Sequence, residues 1–137
     1  MDNSLPILTK TELYDLLNGF VIKLKELLGT HLNDVILYGS YARNEAEEGS
    51  DIDVMILVDL PEEKLNKIDE KINNYTSDVL YEKSIILSAI IHNKELFNKR
   101  TSFIPFYRNV IQEGININVA WANCRHIHLI GLPFWTS

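Results

Sequence analysis

The chain has 137 residues, 46% hydrophobic and 23% charged, with a formal net charge of −6. This length supports one domain whose core needs no staples, and the composition excludes a disordered chain and a coiled coil. A net acidic chain is a poor non-specific binder of nucleic acid or anionic membrane.

The single cysteine, Cys124, permits no intrachain disulfide and fits a reducing, cytoplasmic location. Residues 1–10 carry no basic flank followed by an apolar run, so no signal peptide is expected. The longest apolar-rich run, Ser84 to Ile91, is far short of the roughly 20 residues that span a bilayer.

Thr9-Lys10-Thr11-Glu12 reads as a capping box. Leu13, Leu16, Leu17, Phe20, Leu24, Leu27 and Leu28 follow at helical spacing up to Gly29, predicting a helix over 10–28. Val35 to Tyr38 predicts a short buried strand ending at Gly39-Ser40, and the polar stretch from Tyr41 to Gly49 has room for one helical turn. Asp51 to Val58 predicts a second strand with Ile52, Val54, Ile56 and Val58 on one face. Pro61 suits a first helical position, and Leu65, Ile68, Ile72, Tyr75 and Val79 carry that helix to about Leu80.

Ser84 to Ile91, apolar on both faces, predicts a third and central strand. Asn93 is placed to cap a helix over 94–99. Phe103 to Glu113 predicts a last helix stopped by Gly114, and Ile115 to Val119 a fourth strand. The order is that of an α/β (α+β) domain over residues 1–119, a small mixed sheet flanked by helices. The tail, 120–137, differs: it holds Trp121, Phe134 and Trp135 and one formal charge, Arg125. Such a segment needs burial on its own core or on a partner. Its role is not legible.

The chemistry concentrates between Gly39 and Asp53. Gly39 ends a buried strand where the chain must turn close to a ligand without a Cβ in the way. Ser40 adds a hydroxyl, and the amides that follow can point at an anion, a ready phosphate seat. No Lys-Ser or Lys-Thr follows the second glycine, so this is not a Walker A loop. Asp51 and Asp53 lie two apart on a strand and so share a face. Two carboxylates there are costly unless a cation sits between them. Mg²⁺ fits, since it also takes oxygens from substrate phosphates.

Gly-Ser, a ten-residue spacer from Tyr41 to Ser50, then Asp-x-Asp at the start of a strand resembles the nucleotidyltransferase superfamily that includes DNA polymerase beta. The chain looks like its minimal nucleotidyltransferase subgroup, small proteins often found as antitoxins beside a HEPN-domain toxin. The resemblance implies the nucleotidyltransferase fold, with Gly39, Ser40, Arg43 and Ser50 on the nucleotide and Asp51 and Asp53 binding Mg²⁺ and carrying catalysis. It implies transfer of a nucleoside monophosphate, AMP above others, from NTP to an acceptor such as a HEPN toxin. Two alternatives stand beside it: a weak or inactive domain that neutralises a partner by contact, and an enzyme that modifies a small molecule such as an antibiotic. Oligomeric state is left open, a homo-oligomer included.

The family's third carboxylate, near the start of the next long strand, falls by chain order at Ser84, which is no carboxylate. Glu82 either substitutes for it or is a solvated helix-end glutamate. Glu45, Glu47 and Glu48 read as a solvated turn, and Asp59 as the start of the following helix. Tyr41 either stacks on a base or packs on the first helix. His31 and His92 read as loop residues, and Phe103, Phe106, Tyr107 and Val110 as core. Cys124, His126 and His128 lack the fourth ligand that a structural zinc site needs.

Overall fold

In the computed structural model, the structure describes residues 7–117. The apolar tail 120–137, the end of the fourth strand and the Cys124, His126 and His128 group lie outside the described residues. Thr9 opens α1 (Lys10–Leu28) as a full capping box: its hydroxyl accepts from the Glu12 amide, and the Glu12 carboxylate accepts from the Thr9 amide. Leu13, Leu17, Phe20, Leu24 and Leu28 form the buried stripe, and Gly29 ends the helix at a φ of 56°. A short 3₁₀ turn leads into β1 (Leu32–Tyr38).

The remaining elements are β2 (Ile52–Val58), α2 (Asn66–Lys83), β3 (Leu87–Asn93), α3 (Lys94–Arg100), α4 (Pro105–Glu113) and β4 (Ile115–Asn116). The sheet order is β3-β2-β1-β4. β1 runs antiparallel to both β2 and β4, whereas β2 and β3 are parallel, joined through α2. The sheet is thus mixed.

Alternation along the strands divides the core into two layers. Val35, Leu37, Ile52, Val54, Ile56 and Val58 pack with α1 and α2 on one face. Ile36, Tyr38, Met55 and Leu57 pack with Phe97 of α3 and Val110 of α4 on the other. Asp53 has the parity of Met55 and Leu57, so it belongs to the α3–α4 face. Among the described residues, no helix is long and apolar enough to cross a membrane.

Several expectations are corrected. β3 is an edge strand, not a central one. Its apolarity on both faces reflects helices above and below, not strands on either side. α2 runs to Lys83, and Ser84 takes the left-handed conformation as its C-cap, so β3 begins only at Leu87. Pro61 precedes a 3₁₀ turn, Glu62–Lys64, before α2 begins at Asn66. α4 begins at Pro105, because proline's fixed φ and missing N–H suit the first turn. Phe103 and Phe106 are therefore exposed rather than core, at 68% and 42%. His92 lies in β3, where its Nε2 stands 3.2 Å from the Tyr107 hydroxyl. Asp59 pairs with His31 at 2.7 Å and does not cap α2.

Ile52 is fully buried between the two aspartates and fixes the start of β2. Ile52→Ala is expected to cost about 2–4 kcal/mol through the cavity it leaves, with Ile52→Val near 1 kcal/mol. Urea unfolding followed by circular dichroism checks both.

Candidate active site

The Gly39 to Asp53 segment is the connection between two neighbouring antiparallel strands, so pairing brings its ends together. Tyr38, the last residue of β1, stands opposite Asp53 near the start of β2. Gly39 then turns away at a φ of 78°, and a Cβ there would collide with the Asp53 carboxylate. Glycine is required twice here, once for its conformation and once for the approach of Asp53.

The next residues wind into one tight turn. The Arg43 amide donates to the Gly39 carbonyl at 3.1 Å, and the Glu45 amide to the Ser40 carbonyl at 2.8 Å. Among the described residues, the amides of Ser40, Tyr41 and Ala42 donate to no protein acceptor, the arrangement of a helix N-terminus open to an anion. The Tyr41 hydroxyl accepts from the Leu8 amide at 3.2 Å, so that ring packs at the start of α1. Ser50 closes a second turn: its Oγ accepts from the Glu47 amide at 2.8 Å, and its amide donates to the Glu47 carbonyl. With Gly49 at a φ of 81°, this turn delivers Asp51 to the mouth of the site. Glu45, Glu47 and Glu48 are exposed, as a solvated turn requires.

Asp51 is exposed, whereas Asp53 is half-buried. Burial pushes the Asp53 carboxyl up to about 6, the Asp51 charge adds to this, Arg43 opposes it, and Glu113 raises it further. Tyr38 is pushed up to about 12 by burial and by Asp53 beside it. One residue that the motif does not contain joins the site here. Glu113, the last residue of α4, accepts from the Gly39 amide at 3.3 Å and from Arg43 Nη1 at 3.1 and 3.2 Å through its two oxygens. Its signal in the sequence is an acid at a helix C-terminus, where the helix dipole disfavours it and a tertiary cation must hold it.

The structure therefore brings Gly39, Ser40, Arg43, Asp51 and Asp53 to one place, with Ser50 as the hinge behind Asp51. It does not bring Ser84 or Glu82 there in a strand. Glu82 is an exposed residue in the last turn of α2, and Ser84 caps that helix. The residue of β3 registered with Asp53 is Ser88, on the same sheet face. That neighbour is again a serine, not an acid.

Residues 17–114 match the family described as "Nucleotidyltransferase domain". The chain belongs to the nucleotidyltransferase family. Three relatives from Methanocaldococcus jannaschii each bear the name "Putative protein adenylyltransferase". The first is 35% identical over 69% of this chain and 87% of its own length. The second is 36% identical over 72% and 94%, and the third 37% identical over 78% and 95%. A solved structure, "Crystal structure of the toxin-antitoxin with AMP-PNP", is similar at 13% identity and a TM-score of 0.39, covering 82% of this chain and 93% of that one.

A divalent cation suits the donors of this nucleotidyltransferase. Among the described residues, no three His, Cys, Asp or Glu side chains stand together as a metal cage. Mg²⁺ seldom needs one, since it binds through one or two carboxylates plus substrate phosphates. The carboxylates of Asp51 and Asp53 are hard oxygen donors in a locally negative site, and such a cation would find its donors there.

Asp53 holds its proton more tightly in the folded chain than its ordinary value of 3.8. Without metal, its ionisation therefore opposes folding as pH rises from near 4, and the cost is complete above about 6. Asp53→Asn is expected to melt a few degrees higher than wild type at pH 7.5 in EDTA, a gain on the order of 1 kcal/mol after solvent screening. Near pH 4 the difference should vanish. Melting curves across this range read the effect.

Proposed function

We propose that the chain transfers AMP from ATP to a hydroxyl of a partner protein, a HEPN-domain toxin, and so acts as its antitoxin. The single observation that carries nucleotidyl transfer is the joining of the Gly39-Ser40 turn to the Asp51 and Asp53 carboxylates at the β1–β2 edge. The names of the relatives favour adenylyl transfer to a protein acceptor. The resemblance of the motif to the minimal subgroup favours the toxin.

In this reading, the Ser40 to Ala42 amides and Arg43 hold the triphosphate, aligning the α-phosphorus with the acceptor oxygen. Asp51 and Asp53 would hold Mg²⁺, which would supply charge neutralisation to the phosphates. The acceptor oxygen forms a bond to the α-phosphorus, the bond to the β-phosphate bridge breaks, and pyrophosphate leaves. The hydroxyl proton is released to solvent, and Ser88, the neighbour of Asp53 on β3, supplies no carboxylate to take it. Positioning and charge then supply most of the rate.

That same Ser88 favours a second reading, neutralisation by contact without transfer. The two part on one experiment. The chain and its partner are incubated with ATP and Mg²⁺, and the partner's intact mass is measured. A gain of one AMP, lost in EDTA and reduced at least about 100-fold in rate by Asp51→Asn or Asp53→Asn, is expected. An unmodified partner whose activity is nonetheless blocked would establish the contact reading instead.

A further inference from the structure

We propose that Glu113 is a built-in anionic partner of Arg43 at the rim of the phosphate seat, which a nucleotide must displace to engage Arg43. The inference rests on the nucleotide-binding role proposed for this site and adds how the site is regulated. The Glu113 carboxylate engages the Gly39 amide and the Arg43 guanidinium, the main-chain and side-chain donors that open the phosphate turn. A carboxylate and a phosphate compete for such donors on equal chemical terms, as anions with paired oxygens. The two compete for Arg43, because the Glu113 carboxylate already takes Nη1 through both of its oxygens.

The placement is held by the fold. Gly114 follows at once, and a Cβ there would strike Ile36 and the Val110 carbonyl. Beyond it, Ile115 pairs with Leu37 of β1. The backbone just after Glu113 is thus held against β1, so the carboxylate leaves by side-chain rotation. Its side chain is 29% exposed, which gives it solvent to rotate into. The surroundings otherwise disfavour an acid at this helix end: Asp53 repels it, and so does the helix dipole. The device sets a threshold, for a ligand must bring more negative charge to Arg43 than Glu113 does.

The occupied and open states exchange, and the apparent affinity is the intrinsic one reduced by the open fraction. Calorimetric titration with ATP and Mg²⁺ tests this on the full chain. Glu113→Ala should bind about tenfold tighter than wild type, and Glu113→Gln about threefold, since a neutral amide still accepts these hydrogen bonds but more weakly. In an Arg43→Ala background the gain should shrink below about twofold. A purely structural role would not give this graded, Arg43-dependent tightening. Circular dichroism confirms that each variant is folded. Unchanged or weaker binding by both Glu113 variants, with wild type binding normally, overturns the proposal and leaves nucleotidyl transfer standing. So does transfer lost in Glu113→Ala while affinity is unchanged, which would make Glu113 a catalytic acid. If neither wild type nor any variant binds ATP, the nucleotide-binding role and this proposal fall together.

Discussion

Asp53 lies against Gly39, with no space between the carboxylate and the glycine for even one carbon. That contact ties the Gly39-Ser40 turn at the end of β1 to the acid-bearing start of β2. The two halves of the site are therefore parts of one strand pair, held by the β1–β2 ladder rather than by long loops. The ladder in turn needs Ile52, Val54, Val35 and Leu37 buried against α1 and α2, and Met55 and Leu57 against α3 and α4. A sheet covered on both faces gives the contact its rigidity, because a slip of one residue would carry Asp53 into the apolar layer under α1.

The cost of this arrangement is electrostatic. Asp51, Asp53 and Glu113 interact closely enough to disturb the titration of Asp53, and Arg43 is the cation that opposes them there. Glu45 also draws on Arg43, at 3.6 Å from Nε. A site with more acids than bases is poor for stability and well suited to a divalent cation. On the proposed function, a chain with net charge −6 would take a polyphosphate through local donors and a cation, not through the protein's overall field.

Much of this arrangement is legible in short stretches of sequence. The capping box of α1, the stop at Gly29, the two buried strands and the Asn93 cap follow from local signals that tertiary packing does not override. The Gly39, Ser40, Asp51 and Asp53 pattern is legible because its spacing is local. What stays hidden depends on pairing at a distance. Whether β3 is central or at the edge cannot be read from its own residues, since helices on both faces produce the same two-sided apolarity as strands on both edges. Chain order puts the third-acid position at Ser84 rather than Ser88 because α2 has no breaker before Ser84 and so runs a turn longer than its apolar spacing indicates. Glu113 escapes a motif search because it is distant in sequence from Gly39, and its partners are set by the docking of α4.

These points converge on Arg43. The missing acid on β3 leaves Ser88 beside Asp53, so under the proposed reading an acceptor would gain little from a base there, and the site would lean on alignment and charge. Alignment requires Arg43 in place before the nucleotide arrives. A free guanidinium on an exposed turn would sample many rotamers and would have to shed its water on binding. With Glu113 on it, the guanidinium is already oriented and its Nη1 already partnered by a carboxylate. Exchange of that carboxylate for a phosphate gives Arg43 a new anionic partner without leaving the guanidinium bare. The cost is the breaking of the Glu113 contacts, offset in part by the rotamer freedom the released side chain regains. An occupant that lowers affinity thus also preorganises the cation on which the remaining catalysis depends.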